Sequence, residues 1–290
     1  LAQAQPESAQ AQRDLALALH WAGGVRQARG DLDGALAVSE EAMGLLRGLA
    51  QAQPESVRAQ RDLGVAVNRV GGVRLARGDL DGALAAFEES LGLLRGLAQA
   101  QPGSVGAERD LGLALHWVGG VQEARGDLDG AAMAFEESLE IDRGLVQALP
   151  ESMQAQRSLG VALIRVGGVR QARGDLQGAL VLFEESLDLL RTVVQAQPES
   201  PQAATDLGVS LSSVAKVRRE LGDSAAARAM IEDAVALARE TYEAHPELVR
   251  VKSELASALT AHASILDDLN DPEGAARARA EAAELEGPQS

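Results

Sequence analysis

The residues of this sequence that could do acid–base or metal chemistry are few and poorly placed for it. The histidines are His20, His116, His245 and His262. A helix brings residues three or four positions apart onto one face, and none of these histidines has a second ligand at that spacing. Cysteine is absent, which excludes disulfides and thiolate metal sites. The sequence therefore predicts no metal site and no cofactor.

Three pairs of adjacent glutamates resemble the paired carboxylates of an acid–base enzyme. They are Glu88-Glu89, Glu136-Glu137 and Glu184-Glu185. Each pair follows a phenylalanine and the pairs recur at one spacing, which is more typical of a solvated helix face than of catalysis. The glycine-rich segments recur in the same way and lack the lysine-serine ending of a phosphate-binding loop. We therefore predict that the protein is not an enzyme.

This constant spacing extends along the whole chain. Proline recurs every 48 residues, at Pro6, Pro54, Pro102, Pro150, Pro198 and Pro246. A glycine followed by aspartate recurs at the same interval, from Gly30 in the first unit to Gly222 in the fifth. Self-similarity of this kind predicts a stack of equivalent supersecondary units. The predicted units are 6–53, 54–101, 102–149, 150–197, 198–245 and 246–290, and together they form a single continuous domain.

Each unit is predicted to contain two helices. In the second unit the segment that starts at Pro54 is expected to open the first helix, because the fixed φ of proline suits the first helical turn. Gly78 is expected to end this helix, and Asp79 to cap the next one. The second helix of a unit then carries a buried apolar stripe. The sequence predicts that Phe87, Phe135 and Phe183, at the same position of the second, third and fourth units, are buried in these stripes.

These residues resemble the tetratricopeptide repeat (TPR). Val70-Gly71, Gly78, Ala83 and Phe87 match the leucine-glycine, second glycine, alanine and phenylalanine of that family's pattern at its spacing. The resemblance implies an all-α, right-handed superhelical solenoid of six antiparallel helical hairpins. The unit is 48 residues long where the family's is about 34, which we interpret as about two extra turns on each helix.

The resemblance also implies a binding surface, because the first helices of TPR proteins line a concave groove. With Ala83 counted as motif position twenty, positions five, six and nine of the first four units should face that groove. Tryptophan and arginine are common anchors of protein interfaces, and glycine leaves room for a ligand backbone. The resulting candidate partner-binding residues are His20, Trp21, Gly24, Asn68, Arg69, Gly72, His116, Trp117, Gly120, Arg165 and Gly168.

Two of these columns also allow a purely structural interpretation. Trp21 and Trp117 could pack between adjacent first helices instead of facing a ligand. Glycine inside a helix costs about 1 kcal/mol relative to alanine, and the glycines at position nine could serve either close helix contact or a ligand backbone. The carboxylate clamp of some TPR proteins is matched only in part, by Asn68, Arg69 and Arg165, because position nine is glycine and position two is apolar, as at Val65 and Leu113.

Charge and composition restrict the classes of partner. The net charge of −16 disfavours nucleic acid, since binding to phosphates depends on lysine and arginine. No apolar stretch approaches the roughly 20 residues needed to cross a bilayer. Lys216 and Lys252 are the only lysines, against 25 arginines, which is typical of a GC-rich bacterial genome. We expect a cytoplasmic bacterial protein that binds a protein or a peptide, and not nucleic acid or a membrane.

The predicted function is a non-catalytic surface on which a partner docks, as the sensing or recruiting part of a longer protein. The alternative is a structural module whose repeats stack end to end into an oligomer or filament. Residues 1–5 repeat residues 49–53 and are expected to be the remnant of a preceding repeat. Without that repeat, the apolar end of the array would be exposed and could self-associate. The sixth unit has a polar pattern typical of a cap, and the natural C-terminus is expected near Ser290.

Overall fold

A computed structural model describes the backbone of residues 6–286 and the side chains of residues 9–285. Every regular element in this range is an α-helix, and consecutive helices pair as six hairpins, which confirms the predicted all-α fold. The sequence features at residues 1–5 and at Ser290 lie outside the described residues. The helices are α1 (Pro6–Ala28), α2 (Leu32–Ala52), α3 (Val57–Ala76), α4 (Leu80–Ala100), α5 (Val105–Ala124), α6 (Leu128–Ala148), α7 (Met153–Ala172), α8 (Leu176–Ala196), α9 (Pro201–Glu220), α10 (Ser224–Ala244), α11 (Val249–Asp268) and α12 (Pro272–Glu286).

The hairpins group into two compact units, Leu1–Ile141 and Asp142–Ser290. Unit 1 contains α1 to α5 and most of α6, and unit 2 contains the end of α6 and α7 to α12. That the whole chain forms one continuous superhelical array stays a prediction. None of the described helices is both long enough and apolar enough to span a membrane.

In the second to sixth repeats the first helix begins three residues after the repeat proline, later than the sequence suggested, whereas α1 begins at Pro6 itself. α3 begins at Val57, and the backbone N–H of Ala59 donates to Oγ of Ser56 at 3.3 Å. Pro54 lies in the turn before this cap, so the prediction that Pro54 opens the helix is wrong. A serine hydroxyl accepts one of the free N–H groups of the first turn, whereas the side chain of proline cannot. The same cap recurs at Ser104, Ser152 and Ser200.

The second helix of a repeat begins as predicted. The backbone N–H of Gly82 donates to Oδ1 of Asp79 at 2.9 Å, which caps α4. Gly78 just before it has a φ of +78°, a left-handed conformation that glycine adopts without a Cβ clash. The aspartate cap recurs in the other hairpins at Asp31, Asp127, Asp175, Asp223 and Asp271.

The core of a hairpin is built on a phenylalanine that packs against a glycine. Phe87, Phe135 and Phe183 are buried, which confirms the predicted register. A Cβ on Gly71 of α3 would lie 2.7 Å from the ring of Phe87, closer than the ring could tolerate. Gly119 and Gly167 face the other two rings in the same way. The glycine at motif position eight therefore lets the two helices of a hairpin interlock around an aromatic side chain.

Ion pairs that recur with the repeat join successive hairpins. In unit 1, Arg47 reaches Glu89 and Arg95 reaches Glu137, each at 2.6 Å between side-chain nitrogen and oxygen. These glutamates are the second members of the paired carboxylates noted in the sequence, and they lie on a solvated helix face, engaged in surface ion pairs. Exposed pairs of this kind stabilise by at most about 1 kcal/mol. Unit 2 has the equivalent pairs Arg143–Glu185 and Arg239–Glu281.

Candidate partner-binding site

Nine of the eleven predicted site residues lie in unit 1, on α1, α3 and α5. Arg165 and Gly168 lie on α7 in unit 2, where the side chain of Arg165 is exposed. Residues four and seven positions apart share one face of a helix, so motif positions two, six and nine line up, with position five beside them. We call the surface formed by these positions the first-helix face: Leu17, His20, Trp21, Gly24, Val65, Asn68, Arg69, Gly72, Leu113, His116, Trp117 and Gly120.

The two tryptophans of this face differ in their surroundings. The side chain of Trp21 is 68 % exposed, and its ring meets His20 edge-on at 6.1 Å between centroids. Trp117 is partly buried and stacks on Phe87 of the preceding hairpin, at 5.5 Å between centroids and 11° between planes. The packing interpretation therefore describes Trp117, while Trp21 has its ring free for contact with a ligand.

The glycines at motif position nine are not required for close helix packing. A Cβ on Gly72 or Gly120 would meet no side chain or neighbouring backbone within 4 Å. At Gly24 a Cβ would lie 2.8 Å from Nη2 of Arg69. The side chain of Arg69 therefore crosses from α3 to α1 and lies over Gly24, where a larger residue would displace it.

An exposed aliphatic column adjoins these residues at motif position two. Leu17 is 55 % exposed, Val65 41 % and Leu113 51 %. Single exposed aliphatic residues are common, but three at the same position of successive first helices form an apolar stripe beside Trp21. The apolar side chain at position two indicated from the sequence only that a carboxylate clamp is not fully matched, and this stripe was not predicted. The signal was present, because the same column is apolar in each of these three repeats.

A cavity of about 380 Å³ opens into the stripe between α1, α2 and α3. Its floor is buried and is formed by Ala16, Ser39 and Ala42, and its exposed mouth is formed by Leu17 and Val65. Pockets that bind ligands are typically about 300 to 1,000 Å³ in volume and are mainly apolar. The cavity is at the small end of this range and suits a single side chain with its flanking backbone.

Positive charge dominates the wall of this cavity. Its lining includes Arg13, Arg58, Arg61 and Arg69 but only one acidic residue, Asp62. Arg13 pairs with Asp62 at 2.8 Å and Arg61 pairs with Asp110. Among the described residues, neither Arg58 nor Arg69 has an acidic partner. The cavity therefore has an excess of positive charge in a chain whose net charge is −16.

His20 lies in the wall of the cavity next to Arg69. Burial, and then the positive charge of Arg69, lower the pKa of His20 below its usual 6.5. The imidazole is therefore neutral at pH 7 and offers one N–H donor and one acceptor. It contributes polarity to the cavity and leaves the positive charge to the arginines.

Ser39 occupies the place that phenylalanine has in the next three hairpins. It lies 48 residues before Phe87 in the repeat, and Arg69 lies 48 residues before Trp117. Ser39 is 2 % exposed, and its Oγ has no hydrogen-bond partner. Nε of Arg69 is also buried without a partner. The contact between the first and second hairpins thus has a cavity with two unpaired polar atoms, where the contact between the second and third has a stacked aromatic pair.

Ser39, Arg13 and Arg58 were not among the predicted site residues. The break in the phenylalanine column at Ser39 can be read from the repeat alignment and could have indicated a cavity. Arg58 carries no such signal, because whether it reaches the cavity depends on the approach of α1 to α3.

Comparison with known proteins extends to the fold and no further. No family model and no curated protein matches this chain. Among solved structures, BtubC from P. vanneervenii is 15 % identical, with a TM-score of 0.64 over 88 % of this chain and 91 % of that one. The apo form of RapI is 11 % identical, with a TM-score of 0.60 over 93 % and 97 % of the two chains.

A third similar structure belongs to a larger protein. It is PH0952 from Pyrococcus horikoshii, described as a signal transduction ATPase with numerous domains and a tetratricopeptide repeat sensor. The identity is 11 % and the TM-score 0.55, over 93 % of this chain and 36 % of that one. Likeness at this level of identity shows the fold alone. The chain has a TPR-like helical-repeat fold.

Proposed function

We propose that the first-helix face of unit 1 binds an extended segment of a partner protein. The observation that carries this proposal is the apolar stripe of Leu17, Val65 and Leu113, which is exposed and leads into the arginine-lined cavity. Interfaces combine apolar anchors with aromatic and arginine side chains, and Trp21 and Arg69 supply these beside the stripe. Gly72 and Gly120 leave open space along it for a peptide backbone.

The fold comparison supports a role within a larger protein. The repeat region of PH0952 is named as a sensor, and this chain corresponds to about a third of that protein by length. We propose that this chain likewise senses or recruits a partner for a longer bacterial protein, in the cytoplasm. Binding to a surface stripe needs no catalytic residue, which agrees with the absence of a catalytic pattern in the sequence.

Peptide selection followed by charge insertion tests this proposal. A displayed random-peptide library is selected on the immobilised chain, and the recovered peptides are measured against variants by fluorescence anisotropy. Val65→Glu and Leu113→Glu place a charge in the stripe and should weaken binding at least tenfold. Met133→Glu is the matched control, because Met133 is a large exposed apolar residue on α6. Recovery of no peptide, or loss of binding only in Met133→Glu, would contradict the proposal.

A second candidate function, self-association, is favoured by the exposure of α1. Leu15 and Val25 are both about half exposed, in addition to Leu17 and Trp21. A helix with several exposed apolar residues can pack against a second copy. Sedimentation velocity across a hundredfold concentration range tests this candidate. Concentration-dependent association that disappears in Leu15→Glu and Val25→Glu supports it, and a monomer throughout excludes it.

A further inference from the structure

The contact between the first two hairpins lacks an aromatic pair that the next contact has. Phe87 is buried between Gly71 of its own hairpin and Trp117 of the following one. In the preceding hairpin the equivalent position is Ser39, and the residue equivalent to Trp117 is Arg69. A serine side chain is much smaller than a benzyl group, and the cavity of 380 Å³ lies where Ser39 and Arg69 face each other.

We propose that this cavity receives an aromatic side chain of a partner peptide, and that acidic residues flanking it in the peptide pair with Arg58 and Arg69. This inference rests on the proposed function and names the chemistry of the short ligand segment that enters the cavity, which follows α3 where the stripe meets the cavity. In effect the partner supplies the ring that the first hairpin lacks.

The shape and polarity of the cavity fit an aromatic side chain. Its floor of Ala16 and Ala42 is apolar and buried. The plane of an arginine guanidinium stacks on aromatic rings, so Arg69 can cover the ring as Trp117 covers Phe87. The edge of the same guanidinium remains available for hydrogen bonds. The ring alone would thus replace the missing intramolecular contact.

Two unpaired polar atoms explain why an acidic group should accompany the ring. Nε of Arg69 and Oγ of Ser39 are buried without partners, and buried donors are strongly driven to find acceptors. A carboxylate beside the ring accepts from Arg69, and its bonds to a guanidinium are among the strongest in proteins. A ring that carries its own N–H or O–H can pair with Ser39 at the floor. Ser39 is 2 % exposed and lines the cavity, so water reaches it only through the mouth that the ligand would close.

The spacing of the free arginines sets the length of the peptide. Arg58 and Arg69 are 69 − 58 = 11 residues apart on α3, which corresponds to about 16 Å along the helix axis. An extended peptide rises about 3.3 Å per residue, so acidic residues two positions before and two after an aromatic residue are about 13 Å apart. The length of the glutamate and arginine side chains covers the remaining few ångströms, so such a peptide reaches both guanidinium groups.

The charge distribution of the chain favours a negatively charged peptide at this cavity. Arg58 and Arg69 have no acidic partner among the described residues, while the chain as a whole carries −16. An acidic partner would be repelled elsewhere on the protein and attracted here, which fixes its position. A basic peptide would be attracted to the rest of the surface and repelled by the cavity.

Anisotropy measurements with a defined peptide test this proposal on the 290-residue chain. The probe is a fluorescently labelled peptide with the core Glu-Gly-Trp-Gly-Glu. We expect saturable binding that weakens at least tenfold when the tryptophan is replaced by alanine or when both glutamates are replaced by lysine. A labelled oligouridine of similar length is expected not to bind.

Three substitutions locate the binding within the cavity. Ser39→Phe restores the ring of the other hairpins, so it should abolish peptide binding while the melting temperature stays equal or rises. Arg69→Glu and Arg58→Glu should each weaken binding at least tenfold. Arg77→Glu is the control for charge reversal, because Arg77 is the C-cap of α3, is exposed, pairs with Asp33 and lies outside the cavity. Since Arg58 is exposed, its variant should fold even if Ser39→Phe does not.

The outcomes separate this inference from the proposed function. Undiminished peptide binding to Ser39→Phe or to Arg58→Glu would overturn the inference, as would tight binding of the oligouridine in place of the peptide. Library-selected peptides that are sensitive to Leu113→Glu but not to Ser39→Phe would refute the inference and leave the proposed function intact. Failure of both the defined peptide and the library would refute both.

Discussion

Unit 1 and unit 2 are built from the same hairpin but depart from its pattern in different places. The departures of unit 1 are at its surface: an exposed apolar stripe, an exposed Trp21 and a cavity lined with arginine. Those of unit 2 are in its interior, where Asp206 is 1 % and Asp142 8 % exposed. Surface departures can create a binding site at little cost in stability, whereas buried charges make stability depend on pH.

The buried carboxylates of unit 2 differ in how far hydrogen bonds and positive charges offset the cost of burying them. Asp206 of α9 accepts from Nε of Arg157 at 2.6 Å and also from Arg250. Glu254 of α11 has no such arrangement: its Oε1 has no hydrogen-bond partner, and burial raises its pKa to about 7. The attraction of Lys216 and Arg250 lowers that pKa in part but does not cancel the effect of burial. Burial also raises the pKa of Asp142 to about 7.

The largest expected effect is common to both units and defines what they share. Phe87→Ala and Phe135→Ala in unit 1 and Phe183→Ala in unit 2 each remove a buried ring. We expect each to lower the free energy of unfolding by about 3–5 kcal/mol, measured by urea denaturation. A loss well under 1 kcal/mol in one unit would show that its hairpins do not depend on the buried phenylalanine. The two units would then not be built from the same hairpin.

The next effect is specific to unit 2 and has the opposite sign. Asp142 occupies the column in which Leu46, Leu94 and Leu190 are buried. Keeping a carboxylate ionised there costs on the order of 4 kcal/mol at pH 8, because its pKa is raised from 3.8 to about 7. Asp142→Leu should therefore stabilise the chain at pH 8 by about that amount and less at pH 5.

Asp142→Asn is the control for this prediction. It removes the charge at nearly constant volume, so it should remove most of the pH dependence but add less stability than leucine. Equal destabilisation by both substitutions at pH 8 would mean that the carboxylate of Asp142 has a stabilising partner. The cost of burying its charge would then be offset within the protein.

The repeat pattern predicted the backbone of both units better than it predicted their side chains. The period, the aspartate caps and the burial of Phe183 follow from local sequence, because each depends on residues within one hairpin. The direction of the Trp117 ring does not, since it turns toward Phe87 of the preceding hairpin. The free-energy cost of ionising Asp142 could not be predicted either. The repeat alignment shows which position a residue occupies, but not how its spatial neighbours shift its pKa.

Glu254 gives a smaller effect that should also be confined to unit 2. Its pKa is raised from 4.5 to about 7, so the folded state binds more protons than the unfolded state across this window. The stabilisation by the protonated form is complete below about pH 4.5 and is lost as the pH rises to about 7. We expect the wild-type chain to lose on the order of 2–3 kcal/mol of stability from this group between these limits.

Glu254→Gln should flatten that pH dependence, as measured by urea unfolding at half-unit steps from pH 4.5 to 8. Asp268→Asn in the same unit is a suitable control, because the pKa of Asp268 is lowered by its hydrogen bond from Arg219 and contributes with the opposite sign. Amide hydrogen exchange read peptide by peptide should place the pH-dependent protection in α9 and α11. Equal pH dependence of protection in α1 to α5 would remove the distinction between the two units.

The smallest effect separates packing from binding within unit 1. Trp21 and Trp117 occupy the same repeat position, but Trp117 stacks on Phe87 and Trp21 is mainly exposed. We expect Trp117→Ala to lower the free energy of unfolding by about 2 kcal/mol, since the substitution removes a ring that is partly buried. Trp21→Ala should change it by less than about 0.5 kcal/mol, as is usual for surface substitutions.

Binding should show the reverse order, because only an exposed ring can gain new contacts from a ligand. With a peptide selected on the first-helix face, Trp21→Ala should weaken binding roughly tenfold and Trp117→Ala by less than about threefold. Thermal melts and anisotropy titrations on both variants give the two readings. If Trp117→Ala melts like the wild type and loses the peptide, its ring leaves Phe87 to meet the ligand. The binding surface of unit 1 would then include a side chain that packs between hairpins, and unit 1 would differ less from unit 2, whose departures from the repeat are buried.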